Sequence, residues 1–157
     1  MKIVKSKQVL SGKLIGKLGA EPLKDLTLVK FRQILAKTAR PIKIVLMDQE
    51  KISGIGNIYA NDALWLSGIN PRRMAKSLNS KETKALFEAI LKVLKEGIHY
   101  GGASDQHYLK PDGTKGEYQK HFLVYGRTGE KCDRCQEEVK RFALGGRGTF
   151  WCTKCQK

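Results

Sequence analysis

Four cysteines, Cys132, Cys135, Cys152 and Cys155, read C-x2-C-x16-C-x2-C. Two such pairs in an intracellular chain spell a tetrahedral thiolate site. Each tight C-x2-C turn aims two sulfurs at one ion, and zinc takes four of them. The sixteen residues between the pairs are enough for a β-hairpin. A rubredoxin-type iron centre uses the same four ligands and is the alternative. A redox C-x-x-C fits less well, because two pairs so close together suit one shared metal.

A second stretch with chemical content is KISGIGNIYANDALW, residues 51–65. It follows the apolar run IKIVLM (42–47) and contains Gly-x-Gly. A dinucleotide-binding turn needs a strand, then G-x-G-x-x-G at once, then a helix. Here DQEKIS (48–53) separates the run from Gly54, and Tyr59 stands at the third glycine position. No alternating strand–helix pattern follows, so the nucleotide reading falls. Gly54 and Gly56 instead allow a sharp turn and close backbone approach to another anion. Asn57 stands at a helix start, where free N–H groups and the dipole favour negative charge. A plain N-cap role for Asn57 is the equal alternative.

The charge says which anion. Thirty Lys and Arg stand against fifteen Asp and Glu, a formal net charge of +15. Such an excess gathers polyanions, and nucleic acid is the expected partner because binding it releases condensed counterions. A merely basic protein is the plain alternative. No uninterrupted apolar run approaches membrane-spanning length, and no helix pairs a basic face with a Trp/Phe/Leu face. MKIVKSKQVLSG has no long apolar core of a secretory signal. The chain is expected to be intracellular and soluble. His99, His107 and His121 have no obvious Ser or Cys nucleophile beside them, so they read as surface or helix-end histidines.

The elements that must position these residues follow from pattern. Residues 1–22 read as short extended pieces and a linker broken by Gly12, Gly16 and Gly19. Residues 23–38 carry Leu23, Leu26, Val29, Ile34 and Leu35 at helical spacing, which predicts one amphipathic helix. Pro41 can open the next helix. Residues 42–49 fit helix or strand, and 58–69 fit a helix stopped by Gly68 and Asn70-Pro71. Asn79-x-x-Glu82 is a capping box before a helix over 80–99. Residues 103–119 form a polar loop. Between the cysteine pairs, EVKRFAL and TFW read as strands, with Gly145-Gly146-Arg147-Gly148 as the turn and Arg147 at its tip.

LMDQEKISGIGNIYANDALWLSGINPRR (46–73) resembles the helix–two-turn–helix motif of formamidopyrimidine-DNA glycosylases, bacterial enzymes that excise oxidised purines. Residues 125–157 resemble that family's β-hairpin zinc finger, and LGAEPL (18–23) its interdomain junction. The resemblance implies a mainly α fold with small β: a linker over 1–22, a helical DNA-binding domain over 23–124 and a zinc finger over 125–157. One Zn2+ would sit on Cys132, Cys135, Cys152 and Cys155. Asn57 resembles the asparagine that contacts a phosphate beside the lesion, Arg147 the finger arginine on the backbone, and Lys43 a lysine near the lesion. The implied DNA-binding set is Lys43, Gly56, Asn57, Tyr59 and Arg147, with residues near 104–114 as the loop over the flipped base.

The family's nucleophile is an N-terminal proline followed by glutamate, whereas Lys2 follows Met1 here. The expectation is therefore the damaged-DNA-binding half of a glycosylase/AP lyase, not competent alone, with catalysis supplied by a separate domain. Its partner would be double-stranded DNA, including damaged duplex, at the cytoplasmic nucleoid. A free-standing DNA- or RNA-binding zinc module is the alternative.

Overall fold

The computed structural model describes residues 17–103, 113 and 115–157. The strand-like pieces at the start of the linker, His107 and nearly all of the 104–114 loop lie outside them. Within the described residues, four α-helices precede one antiparallel hairpin: α1 (Leu28–Ala36), α2 (Ile42–Leu46), α3 (Asn57–Ser67), α4 (Ser80–His99), β1 (Val139–Leu144) and β2 (Arg147–Cys152). Single helical turns at Ala75–Ser77 and Tyr118–His121 join them. No helix among them is long and apolar enough to cross a membrane.

α1 is shorter than its periodicity predicts. The Glu21 carbonyl accepts the N–H groups of Lys24, Asp25 and Leu26, which closes a separate turn. Thr27 then takes extended backbone, and its hydroxyl accepts the Lys30 N–H at 3.2 Å, so the helix starts only at Leu28. An N-cap hydroxyl ends the competition between turn and helix by satisfying an orphan donor. The buried face differs too. Val29 is 62% exposed, whereas Phe31, absent from the predicted stripe, is fully buried. α4 begins as its capping box requires: Asn79 Oδ1 accepts the Glu82 N–H at 3.0 Å, and Glu82 Oε2 accepts the Asn79 N–H at 2.9 Å. Ile98, near its end, points out at 70% exposure.

The apolar run at 42–47 resolves as helix, with Pro41 directly before it. Ile42, Val45 and Leu46 join Phe31, Leu64 and Ile90 in the main core. Emptying one such site, as in Phe31→Ala, costs about 3–5 kcal/mol. α3 is the hub, packing on α4, α2 and β2. Gly68 ends it in left-handed backbone at φ 72°.

In the hairpin, Leu144 pairs with Arg147 across Gly145-Gly146, both at positive φ (59° and 73°). Two successive left-handed residues make the two-residue turn whose twist matches the strands. The turn is thus Gly145-Gly146 alone, and Arg147 is the first residue of β2.

Candidate metal centre and nucleic-acid interface

The two C-x2-C turns bring four sulfurs to one point. All lie within 4.8 Å of one another, with Cys132 to Cys155 at 3.9 Å and Cys135 to Cys152 at 3.4 Å. None is in a disulfide. Four sulfurs bound tetrahedrally to zinc at about 2.3 Å stand about 3.8 Å apart, so the set fits that ion. The electrostatics agree. Burial favours the neutral Cys132 thiol, but donors from the Arg134 backbone, the Trp65 indole, the Cys135 backbone and the Cys152 thiol outweigh it and bring it down to about 6. Burial first, then the neighbouring sulfurs, push Cys155 up to about 12. Four thiolates at this spacing require a cation between them.

The centre is built into the helical unit. Trp65 of α3 shares a small second core with Val124, Cys132, Val139 and Cys152. The Arg134 guanidinium donates to the carbonyls of Trp65 and Leu66, each at 2.7 Å. Buried Gln156 accepts the Cys152 N–H and donates to the Ile69 carbonyl, both at 2.9 Å. Asp62, also buried, accepts the N–H groups of Leu123, Val124 and Tyr125 at 3.0–3.2 Å. Burial raises the Asp62 pKa, and those three N–H groups work against the rise.

A polar cluster lies behind the hairpin tip. The Gly148 carbonyl accepts from Lys43 Nζ at 2.9 Å and Asn57 Nδ2 at 3.1 Å, with Asn61 Nδ2 at 3.5 Å. Lys43 Nζ also donates to Thr149 Oγ1 at 2.7 Å. Asn61 Oδ1 accepts the Phe150 N–H at 2.8 Å. Residues 148–150 of β2 are therefore held by side chains from α2 and α3. Lys43 is no surface lysine: it is fully buried, and burial, then the nearby Arg147 charge, lower its pKa to about 8. Arg147 itself is exposed and lines an open groove of about 370 Å³ with Arg40, Ile44, Met47, Asp48 and Gly145.

Lys43, Asn57 and Arg147 are thus brought together, and Gly56 lies beside them. Gly56, not Asn57, is the N-cap of α3, and the Asn57 amide reaches the hairpin instead. The first turn of α3 has no capping side chain and no acid. Of the two glycines only Gly54, at φ 85°, needs left-handed backbone. Gly56 has extended backbone open to any residue, and a Cβ there would meet nothing within 4 Å. Tyr59 goes elsewhere: its ring packs on Tyr118 at 5.1 Å and its hydroxyl lies against Gly97 of α4. Burial, then the Asp62 carboxylate, raise its pKa. His99 and His121 both meet Tyr100, His121 stacking on it at 3.7 Å.

Sequence reasoning missed Asn61, Asp62, Thr149 and Gln156. Asn61 and Asp62 left a signal, since they interrupt the apolar side of a helix. Thr149 and Gln156 left none.

Helices turning α3 toward a four-thiolate finger define a class, the helix–two-turn–helix unit with an attached zinc hairpin. Residues 18–108 match the formamidopyrimidine-DNA glycosylase H2TH domain, and residues 129–157 match the zinc finger found in FPG and IleRS. The chain belongs to the formamidopyrimidine-DNA glycosylase H2TH family. It is 42% identical over 158 residues to the formamidopyrimidine-DNA glycosylase of Gluconobacter oxydans, covering 99% of this chain and 57% of the relative. It is 46% identical to that of Herpetosiphon aurantiacus, covering 89% and 52%. The crystal structure of the Thermus thermophilus MutM (Fpg) protein superposes with a TM-score of 0.87 at 39% identity, covering 97% of this chain and 57% of that one. Lactococcus lactis Fpg, solved with DNA containing an abasic site, gives 0.88 at 37% identity, covering 98% and 57%. The chain spans a little over half the length of these relatives. The mainly helical fold with a small hairpin agrees with expectation, and the finger is a zinc site.

Proposed function

We propose that this chain binds duplex DNA through its phosphates, as the backbone-gripping half of a base-excision-repair glycosylase/AP lyase that acts on oxidised purines. One observation carries the reading: Lys43 and Asn57 converge on the Gly148 carbonyl, which sets the exposed Arg147 beside the uncapped, acid-free start of α3. Helix N–H groups and a guanidinium on a braced hairpin are two complementary phosphate donors. Phosphate contacts of this kind fix register and carry no sequence information, and the net charge of +15 supplies long-range attraction. The Lactococcus lactis relative solved with abasic-site DNA supports the choice of damaged duplex. Gly56, Asn57 and Arg147 form the contact surface in this reading. Buried Lys43 acts from behind it, and Tyr59 from the α4 side. The helical unit over 23–124 and the finger over 125–157 act as two domains sharing α3. Base excision itself is assigned to a catalytic domain outside these residues, supplied by the full gene or by a separately encoded partner, and the site of action to the cytoplasmic nucleoid.

The test is a binding titration of the zinc-loaded protein against duplexes that hold an abasic analogue, 8-oxoguanine or no lesion, at several salt concentrations. Arg147→Ala and Asn57→Ala should weaken binding of all three, and Arg147→Ala should lower the salt slope by about one. Tighter binding of the abasic duplex would give this half a share in lesion recognition. Mutants that bind like wild type, or equal affinity for structured RNA, would overturn the assignment.

A further inference from the structure

One contact crosses from the helical unit to a metal ligand. The Trp65 indole N–H, on α3, donates to Cys132 Sγ at 3.3 Å in a buried setting, across 67 residues of sequence. The indole is clamped. Arg134 lies between the first two cysteines in sequence, and its guanidinium carbon stands 4.0 Å from the centre of the Trp65 ring. The same guanidinium holds the Trp65 and Leu66 carbonyls. A cation over an indole face is attracted by the ring quadrupole, and it draws electron density from the ring, which strengthens the N–H as a donor. The ring has little room to turn, since Trp65 is 5% exposed within the second core.

We infer that Trp65 is a positioning residue of the zinc centre: an outer partner of the Cys132 thiolate that fixes its lone pair and sets metal affinity. The physical reason is charge. Four thiolates around one divalent ion carry a net excess of negative charge, and each N–H donated to sulfur spreads part of it. Hydrogen-bond partners of metal ligands tune affinity in this way in metal sites generally. Here the partner comes from another unit of the fold. Metal occupancy is then linked to the placement of α3, and a finger cut away from α3 should hold its ion more weakly than the intact chain does.

The test uses the full chain. Trp65→Phe keeps an aromatic ring for Arg134 and removes the donor together with part of the indole's packing volume. Trp151→Phe, on the hairpin against Phe142, is the control. In a chelator competition Trp65→Phe should bind zinc about 10–100-fold more weakly, and Trp151→Phe should match wild type. With Co2+ in place of zinc, loss of the N–H leaves the sulfur more electron-rich, so the sulfur-to-metal charge-transfer band should move to lower energy. Loss of packing alone would not shift it. A folded Trp65→Phe protein with wild-type affinity and an unmoved band overturns the inference. Should that variant fail to fold, wild-type protein loaded with 113Cd decides. A through-bond cross-peak between the Trp65 indole proton and the metal supports the contact, and its absence sinks it.

Discussion

The helical unit and the finger reach order by different routes. Among the described residues, the helical core holds seventeen buried apolar side chains. The finger's core holds five, of which Cys132 and Cys152 are metal ligands and Trp65 belongs to α3. Five side chains cannot offset the ordering of some thirty residues, at about 1–2 kcal/mol of backbone entropy each. The finger therefore takes its internal order from the ion and its placement from polar contacts with α3. Shape is made by apolar burial in one region and by directed bonds in the other. Directed bonds fix a tip more sharply than apolar contact does, and the exposed Arg147 stands beside that tip.

Metal removal should break this contrast open most widely. Structural zinc contributes about 10–16 kcal/mol of apparent binding energy in isolated fingers. Chelation should abolish protection of the amides of residues 129–157 in hydrogen exchange. Phe31, Leu46 and Ile90 should stay protected, because they sit in an apolar core that contains no metal ligand. Joint collapse of both regions would mean that the helical core depends on the finger, and the contrast would fail.

Asp62→Asn comes next. The carboxylate accepts three N–H groups from residues 123–125. An amide offers one acceptor oxygen and turns its own NH2 toward donors. Leaving such buried groups unmatched costs about 2–3 kcal/mol. The loss should appear in denaturant unfolding of the zinc-loaded protein, with faster exchange confined to residues 123–125. An unchanged midpoint would show that the finger's placement does not rest on this carboxylate.

The same contrast explains what the sequence disclosed. Period, caps and turn glycines are local signals, so α4 with its Asn79–Glu82 box, the Gly68 stop and the existence of a glycine turn after Leu144 were legible, though Arg147 and Gly148 belong to β2 and not to that turn. The four ligands were legible because metal spacing is local as well. The start of α1 was not, since Thr27 competes with an equally helical-looking stretch before it. Least legible was the seam. Lys43 reaching Gly148, Asn61 reaching Phe150 and Gln156 reaching Ile69 span 105, 89 and 87 residues. No window along the chain relates such residues. Lys43 in particular has the composition of a surface residue and the environment of a core one.

Lys43 also gives the most delicate test. Burial and the Arg147 charge bring its pKa down from 10.5 to about 8. Below pH 8 the ammonium is charged in both folded and unfolded chains, and its contribution is constant. Between about 8 and 10.5 the unfolded chain holds the extra proton, so stability rises with pH. Lys43→Met keeps an unbranched side chain one atom shorter and removes the titration. Wild type minus Lys43→Met should therefore be flat from pH 6 to 7.5. From pH 8 to 9 it should move in favour of wild type, by at most about 1.4 kcal/mol. Denaturant titrations at saturating zinc measure it. A flat difference across the whole range would mean that water reaches the ammonium. The seam behind Arg147 would then be wet at Lys43, and the hairpin tip would owe its position to Asn57, Asn61 and the ion.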